Sequence, residues 1–154
     1  MQPEQVNVYY LAGPMSGIPQ FNYPKFARIA GELRDAGFVI HSPPEHDSPA
    51  MQEAALANET GDLSKLQKDT DETWGDVLAF DVKFIADKAV GVIVMDGWEK
   101  SRGAKLEAFT CNLVKKPLYV YAGSGSIRPM SEGEYLRGIT GQQAVLLGSN
   151  YAAA

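Results

Sequence analysis

Apolar residues along this chain occur in short runs that are separated by longer stretches of mixed polarity. Four of these runs are rich in β-branched and aromatic residues and are bounded by glycine, proline or polar positions, which is typical of strands. The run at 90–95 is uniformly apolar, as expected of a central parallel strand that is buried on both faces. The sequence therefore predicts strands at 6–12, 38–41, 90–95 and 117–121.

Between these runs, apolar positions recur at the spacing of a helix that buries one face. Helices are predicted at 24–34 with a stop at Gly37, at 73–89 with Asp71 or Thr73 as the cap, and at 103–114. The residues expected to face the core are Phe26, Ile29, Ala30 and Leu33 in the first helix, Trp74, Val77, Leu78, Ile85 and Ala89 in the second, and Leu106, Phe109, Thr110 and Leu113 in the third.

Two regions depart from this alternation. The connection 42–70 is long, polar and proline-bearing, and connections of that length are more often lids or partner contacts than plain linkers. Within it we expect one or two helical turns at 51–58. After 123–125 the sequence predicts irregular chain, with a short helix around 132–137 and a last edge strand at 144–147.

The alternation of strands and helices predicts an α/β fold. Residues 1–154 suit a single domain that is large enough to bury a core. The expected architecture is a doubly wound, mainly parallel sheet between two layers of helices, which is a flavodoxin-like or Rossmann-like three-layer sandwich.

Charge and composition narrow the possible partners. The net charge of −5, with no basic cluster beyond the pair Lys115-Lys116, argues against a nucleic acid polymer as partner. A small anionic ligand remains compatible, because backbone N–H groups can bind one. Cys111 is the single cysteine, so an internal disulfide is excluded and a reducing compartment is the default. Neither a signal peptide nor an apolar run of the ~20 residues needed to cross a bilayer is found. We therefore expect a cytoplasmic protein without a membrane partner.

The loop after the first predicted strand is a candidate ligand site, because open α/β sheets bind ligands outside the carboxyl ends of their strands. Gly13, Ser16 and Gly17 lie there, between a strand and a helix, where phosphates are often bound. The loop matches neither the Walker A motif nor GxGxxG. Phosphate binding and a turn that needs glycine for its geometry alone are therefore both open.

A second group of candidates lies around the strand 90–95 and the helix after it: Asp81, Asp96, Ser101 and Glu107. Ser101 stands where an N-cap would, and Glu107 follows at the edge of the apolar face of that helix. Asp81 falls on the apolar side of its helix, where a carboxylate must be paired, hydrogen-bonded or shifted in pKa. From the residues alone, capping and surface charge are favoured over catalysis, which stays open.

Four short motifs resemble the nucleoside 2-deoxyribosyltransferase superfamily, which includes the nucleoside 5′-monophosphate N-glycosidases. The similarity extends from about residue 6 to residue 121. It is greatest to small uncharacterised and phage-borne members of the superfamily. The motifs agree in order and separation as well as in residues. They are Tyr10-Leu11-Ala12-Gly13-Pro14-Met15, Asp81, Asp96-Gly97-Trp98 and Ser101-x-Gly103-Ala104-x-x-Glu107.

This resemblance implies a role for each matched residue. Glu107 is expected to be the nucleophile that attacks the anomeric carbon, Tyr10 to orient its carboxylate, and Asp81 to assist at the sugar or the leaving base. No metal and no organic cofactor is required by this chemistry. The residues expected to bind the substrate are Gly13, Met15, Ser16, Gly17, Asp96, Trp98, Ser101, Gly103 and Ala104.

Position 101 bears on the choice of substrate. Members that act on free nucleosides resemble one another in having aspartate six residues before the nucleophile, whereas the monophosphate hydrolases have serine, as this chain does. A hydroxyl at a helix N-terminus can hold a phosphate that a carboxylate would repel. The sequence therefore favours hydrolysis of a nucleoside 5′-monophosphate to free base and sugar phosphate. Base exchange on a free deoxynucleoside and non-catalytic nucleotide binding are the alternatives.

The resemblance also implies a homo-oligomer in which a neighbouring chain completes the site. The connection 42–70 and the tail residues Asn150-Tyr151 are candidates for that contribution. Trp98 is expected either to stack on a base or to pack as a hydrophobic residue at the rim or an interface, two interpretations that the sequence weights about equally.

Three other side chains carry weaker signals. His41 and His46, with acidic neighbours, suggest a metal site, but their spacing matches no zinc signature, so a solvated loop is the favoured interpretation. Cys111 lies on the same predicted helix as Glu107, and we expect its side chain to be buried and to pack in the core.

Overall fold

The computed structural model describes residues 6–66 and 71–140, which form an α/β fold around one five-stranded sheet. The strand order is β2-β1-β3-β4-β5; the first four strands run parallel and β5 pairs antiparallel with β4. The strands are β1 (Val8–Ala12), β2 (Val39–His41), β3 (Ala89–Val94), β4 (Leu118–Gly123) and β5 (Ser126–Pro129).

Helices connect the parallel strands. Three of them, α1, α4 and α5, correspond to the three predicted helices, α3 corresponds to the helical turns expected at 51–58, and the short helix α2 was not predicted. Residues 132–140 are helical as well and are called α6 below, which agrees with the short helix predicted around 132–137. The bounds are α1 (Tyr23–Asp35), α2 (Pro43–His46), α3 (Pro49–Leu56), α4 (Trp74–Asp87) and α5 (Arg102–Leu113).

Local sequence explains where α4 and α5 begin. The Thr73 hydroxyl accepts from the backbone N–H of Asp76 while the Asp76 carboxylate accepts from the N–H of Thr73, which is a capping box. Ser101 caps α5 by accepting from the N–H of Ala104 at 3.2 Å. The expected cap at residue 73 is thus confirmed, and Ser101 is the N-cap of α5.

The two faces of the sheet have separate cores, which makes the three layers. On one face, residues of β1 and β3 pack with α1: Leu11, Phe26, Ile29, Ala30, Leu33, Ile40, Ile93 and Met95. On the other face, alternate residues of the same strands pack with α4 and α5: Tyr10, Ala12, Ile85, Ala89, Val92, Val94, Trp98, Ala104, Ala108 and Cys111. The predicted doubly wound sandwich, and the buried Cys111, are confirmed.

The strand order creates a crevice at the carboxyl ends of β1 and β3. From β1 the chain passes through α1 to β2 at the edge of the sheet, and then returns to β3 on the other side of β1. The connections after β1 and β3 therefore leave toward opposite faces, and ligands of open α/β sheets bind at such switch points. This places the loop after β1 and the start of α5 at the expected binding region.

Three expectations about burial are wrong. Phe109 and Leu113 were expected to face the core, but their side chains are 46% and 66% exposed, and Trp74 at the start of α4 is 54% exposed. Small residues take the inward positions of α5, which allows the helix to lie close to the sheet. The buried residues of α5 are Ala104, Ala108, Thr110 and Cys111.

One further region differs from its prediction, and another agrees with it. The chain after residue 123 is a β-hairpin rather than irregular, because Ser124 and Gly125 adopt positive φ angles of 51° and 75° and turn β4 back into β5. The connection 42–70 is partly helical, with α3 (Pro49–Leu56) close to the expected helical turns at 51–58. The strand predicted at 144–147 lies outside the described residues.

No helix within 6–66 or 71–140 combines the length and apolarity that a membrane crossing demands.

Candidate active site

Tyr10 lies at the centre of the candidate site. It belongs to β1, where it is aligned with His41 of β2 and Val92 of β3, and its side chain is fully buried. Alternation along the strand directs Tyr10 and Ala12 toward α4 and α5, while Leu11 packs on the opposite face. The phenol thus reaches the helix layer at the switch point of the sheet.

The hydroxyl of Tyr10 donates a hydrogen bond to Oε1 of Glu107 at 3.0 Å. Glu107 shares the sheet-facing side of α5 with Ala104, three residues before it, and Cys111, four residues after it, both of which are buried. The buried small residues of α5 pack against the sheet, and Glu107, on the same side of the helix, points toward β1. The contact joins residues 97 positions apart in the chain.

Asp81 of α4 completes the group. Its carboxylate interacts with the Tyr10 hydroxyl, and its charge acts on Glu107. The three residues that the sequence assigned to catalysis, on β1, α4 and α5, are therefore brought together. Among the described residues no group of three or more His, Cys, Asp or Glu side chains is arranged to hold a metal ion.

Burial shifts the ionisation of all three groups. It raises the pKa of Glu107 well above its usual range, and the nearby Asp81 charge raises it further, whereas the hydrogen bond from Tyr10 lowers it. Burial likewise raises the pKa of Asp81 to about 6, against the lowering effect of Tyr10. The pKa of Tyr10 is raised well above its usual value by burial and by both carboxylates, so its hydroxyl stays a donor. Both carboxyl groups therefore have raised pKa values, and the charge on Asp81 opposes the ionisation of Glu107.

An aromatic group that the sequence did not predict borders Tyr10. The His41 ring stacks on Phe84 with centroids 4.1 Å apart and lies 5.4 Å from the Tyr10 ring. The His46 ring stacks on Phe80 with centroids 4.0 Å apart. The solvated loop expected for the two histidines describes only His46, which is exposed; His41 is partly buried, and desolvation lowers its pKa to about 4. The i, i+4 spacing of the two phenylalanines on α4 was the available signal.

The loop after β1 has structural reasons for its glycines. A Cβ on Gly13 would overlap the side chain of Met95, and Gly17 has a φ of 82° while its N–H donates to the carbonyl of Gly61 at 2.9 Å. Ser16 is exposed beside Gly17, and Met15 packs against the core on the α1 face. Close packing against Met95 thus gives Gly13 a structural role, and the positive φ of Gly17 gives it one as well.

The segment that leads from this loop into α1 is strained. Gln20, Phe21 and Asn22 all have positive φ angles, of 57°, 49° and 63°, and each such non-glycine residue costs about 1–3 kcal/mol. Asn22 stabilises the segment by donating from Nδ2 to the carbonyl of Pro14 at 2.9 Å. Nothing in the sequence pattern predicted this conformation.

The remaining expected substrate-binding residues have other contacts. Asp96, at the end of β3, forms an ion pair with Lys25 of α1 at 2.6 Å, and this contact lowers the pKa of Asp96. Trp98 is 8% exposed and belongs to the core, where Gly138 of α6 leaves room for its ring. The packing alternative for Trp98 is thus the one that its burial favours.

The start of α5 serves the fold as well. Ser101 and the N–H of Ala104 are paired in the cap, Ala104 is buried in the core around Tyr10, and Gly103 has open space where a side chain would project. Two surface cavities, of about 490 and 380 Å³, are lined by residues around α3 and between α5, β4 and α6, and none of Tyr10, Asp81 and Glu107 lines either. The candidate site is therefore identified by the contacts among these three side chains and not by either cavity.

Comparisons with known proteins identify the family of this chain but no characterised relative. Neither the curated proteins nor the solved structures contain a match. A family model described as Domain of unknown function (DUF4406) matches residues 7–120, which include Tyr10, Asp81 and Glu107. The chain thus belongs to the DUF4406 family.

Proposed function

We propose that the protein is an N-glycosidase that cleaves the bond between base and sugar in a nucleoside 5′-monophosphate, with Glu107 as the nucleophile. The observation that carries this proposal is the contact between the Tyr10 hydroxyl and Glu107 at 3.0 Å, with Asp81 beside both. Cleavage of an N-glycosidic bond needs a carboxylate at the anomeric carbon and a proton for the departing base. A pair of partly buried carboxyl groups, one ionised and one protonated, supplies both.

The first step requires an ionised Glu107 and a protonated Asp81. The Glu107 carboxylate attacks the anomeric carbon and forms a glycosyl ester as the carbon–nitrogen bond breaks. The electron pair of that bond goes to the base nitrogen, which takes its proton from Asp81. Tyr10 lowers the pKa of Glu107 by donating a hydrogen bond, and so favours the ionised nucleophile.

In the second step, Asp81 accepts a proton from water, which attacks the ester. This releases the sugar phosphate, restores the Glu107 carboxylate and returns the proton to Asp81. Both carboxyl groups thus end in their starting states. If a second base replaces water, the product is a new nucleoside 5′-monophosphate, and the same residues perform a base exchange.

The 5′-phosphate is assigned to the start of α5 and the loop after β1. The Ser101 hydroxyl accepts from Ala104 and still has its own hydrogen to donate, and Ser16 is exposed in the loop. Helix N-termini favour anions through their free N–H groups and dipole. The serines supply hydroxyl donors without adding charge to the site.

One observation favours the alternative, base exchange on a free deoxynucleoside. Lys25, which lies in the first turn of α1, is already paired with the Asp96 carboxylate at the end of β3. A carboxylate at the mouth of the site suits sugar hydroxyls better than a phosphate. The two substrates therefore need a direct comparison.

Base release from a panel of nucleosides and their 5′-monophosphates, followed by chromatography, tests the proposed activity. Glu107→Gln should abolish release, while Glu53→Gln, on an exposed face of α3, should leave it unchanged. Base release that survives Glu107→Gln would refute the assigned nucleophile. Nucleotide binding without any base release would favour a non-catalytic nucleotide-binding protein.

Ser101→Asp tests the phosphate separately, because aspartate caps a helix as well as serine does but repels a phosphate. We expect this variant to lose monophosphate cleavage while cleavage of the free nucleoside is kept or raised. An unchanged preference between the two substrates would contradict the role of Ser101. Addition of a second free base to the reaction distinguishes exchange from hydrolysis.

A further inference from the structure

Four rings form a compact group beside the Tyr10–Asp81–Glu107 cluster. The inner pair, His41 and Phe84, is partly buried and stacks at 4.1 Å with an angle of 27° between the rings. The outer pair, His46 and Phe80, is exposed and stacks at 4.0 Å with an angle of 16°. The two pairs lie next to each other, with 6.2 Å between the centroids of the two histidines. In each pair the imidazole lies flat on a phenyl ring.

The chain brings these rings together from three elements. His41 is the last residue of β2, and His46 ends the short helix α2 that follows. Phe80 and Phe84 are one turn apart on α4 and therefore share a face. Asp81 follows Phe80 directly, and the Tyr10 ring lies 5.4 Å from His41. The rings and the proposed catalytic residues thus form one continuous wall.

His41 has a polar atom that the fold does not use. Its Nε2 is buried and has no hydrogen-bond partner among the described residues. Such an atom destabilises a protein, and a phenylalanine would fill the same stacking position without that penalty. Because the imidazole is neutral at pH 7, it offers one donor and one acceptor nitrogen to a ligand. A structural role in stacking does not explain the choice of histidine.

His46 differs from His41 in its surroundings. It is exposed at the end of a four-residue helix, and its ring covers Phe80, whose side chain is 37% exposed. A flat nitrogen heterocycle on an exposed phenyl ring has the geometry with which a nucleobase stacks on an aromatic side chain. His46 therefore occupies a position that a base could take.

We propose that the leaving base of the substrate displaces His46, stacks on Phe80 and is read by a hydrogen bond to Nε2 of His41. This inference deepens the proposed function and rests on it for the identity of the ligand as a nucleobase. A base in this position has its edge toward His41 and Asp81, and Tyr10 links that end of the wall to Glu107. The ring group supplies recognition, and the three catalytic residues supply bond cleavage.

Equilibrium binding of free purine and pyrimidine bases to the full chain, measured by calorimetry, tests this inference without catalysis. Phe80→Ala should weaken binding about tenfold or more, because it removes the stacking surface. His41→Phe, which keeps the inner stack, should weaken binding to a similar extent and raise KM more than it lowers kcat. His46→Ala should bind bases as tightly as the wild type or more tightly, since it removes the competing ring.

Thermal unfolding separates recognition from packing. His41→Phe should keep or raise the unfolding temperature, because it replaces an unpartnered polar atom with an apolar one. The proposal would be overturned if His41→Phe bound bases with unchanged affinity, or if His46→Ala lost as much affinity as Phe80→Ala. It would also be overturned if the wild type bound no base at millimolar concentration.

These experiments also distinguish a failure of this inference from a failure of the proposed function. Glu107→Gln should release no base yet bind free bases as the wild type does. If the wild type releases no base but binds bases in a way that depends on His41, the catalytic proposal fails and this inference stands. If base is released and KM is indifferent to His41 and Phe80, this inference fails and the catalytic proposal stands.

Discussion

The hydrogen bond from Tyr10 to Glu107 yields the sharpest prediction. In Tyr10→Phe the buried ring keeps its packing beside His41 and Phe84, and only the hydroxyl is lost. The change therefore removes the donor that stabilises ionised Glu107. A hydrogen bond to a charged group contributes about 1.5–3 kcal/mol. If that stabilisation is present in the transition state, kcat/KM should fall about 10- to 150-fold.

The pH profile adds a second readout for this variant. Because the Tyr10 hydrogen bond lowers the pKa of Glu107, its removal should raise that pKa further. The nucleophile must be ionised, so the acid limb of the kcat/KM profile should move to higher pH. A merely structural defect would lower activity at all pH values alike.

The matched control is Tyr9→Phe, one residue earlier on β1. The Tyr9 ring faces the opposite side of the sheet, where it packs edge-on against Phe38 with centroids 5.6 Å apart. This variant should retain the activity and the pH profile of the wild type. Steady-state rates of base release across the pH range, measured for both variants, make the comparison. Full activity and an unshifted profile in Tyr10→Phe would refute the orienting role.

Three other changes should alter the stability of the protein, two by raising it and one by lowering it. The folded-state pKa of Asp81 is about 6 and exceeds the value of about 3.9 for an unfolded chain, so its ionisation reduces the free energy of unfolding as pH rises through that window. Asp81→Asn should therefore lower activity and stabilise the protein by about 1–3 kcal/mol at pH 8 but little at pH 4. Urea unfolding at the two pH values measures this difference, and equal stabilisation at both would contradict the raised pKa of Asp81. Gly13→Ala should destabilise the protein by about 1–3 kcal/mol, because the new methyl group meets Met95. Gly31→Ala, within α1 and with open space around it, should stabilise by about 0.5–1 kcal/mol in the same assay, and a neutral Gly13→Ala would show that Met95 moves aside freely.

Much of the fold was predictable because the parallel strands and long helices have strong local patterns. The uniformly apolar run at 90–95 corresponds to β3 (Ala89–Val94), and the helix from Trp74 begins directly after the predicted cap Thr73. Turn geometry was harder to predict. The hairpin between β4 and β5 depends on positive φ angles at two residues, and β5 itself is short and exposed, so it has little apolar signal.

The inward face of α5 could not be predicted from the spacing of apolar residues either. Large apolar residues at Phe109 and Leu113 suggested the buried stripe, yet alanines and Cys111 occupy it. Close approach of the helix to the sheet favours small side chains, and this preference depends on the distance between layers rather than on hydrophobicity. The same rotation turns Glu107 toward Tyr10.

The group of four rings could not have been found from spacing along the chain. His41 and His46 come from the end of β2 and from α2, while their stacking partners come from α4, about 40 residues later. Only the i, i+4 spacing of Phe80 and Phe84 was visible in advance. Partners that are distant in sequence meet because parallel strands end at one edge of the sheet.

The sequence by itself determined the class of fold, the strands that carry the site and the residue types available for chemistry, because these depend on local periodicity and on short motifs. The tertiary structure decided which of those residues meet. It joined Tyr10 to Glu107 and Asp81, paired Asp96 with Lys25 instead, and buried Trp98 under α6. Hydrogen bonds and pKa shifts act through space over a few ångströms, so they exist only after strand order and helix rotation have been set.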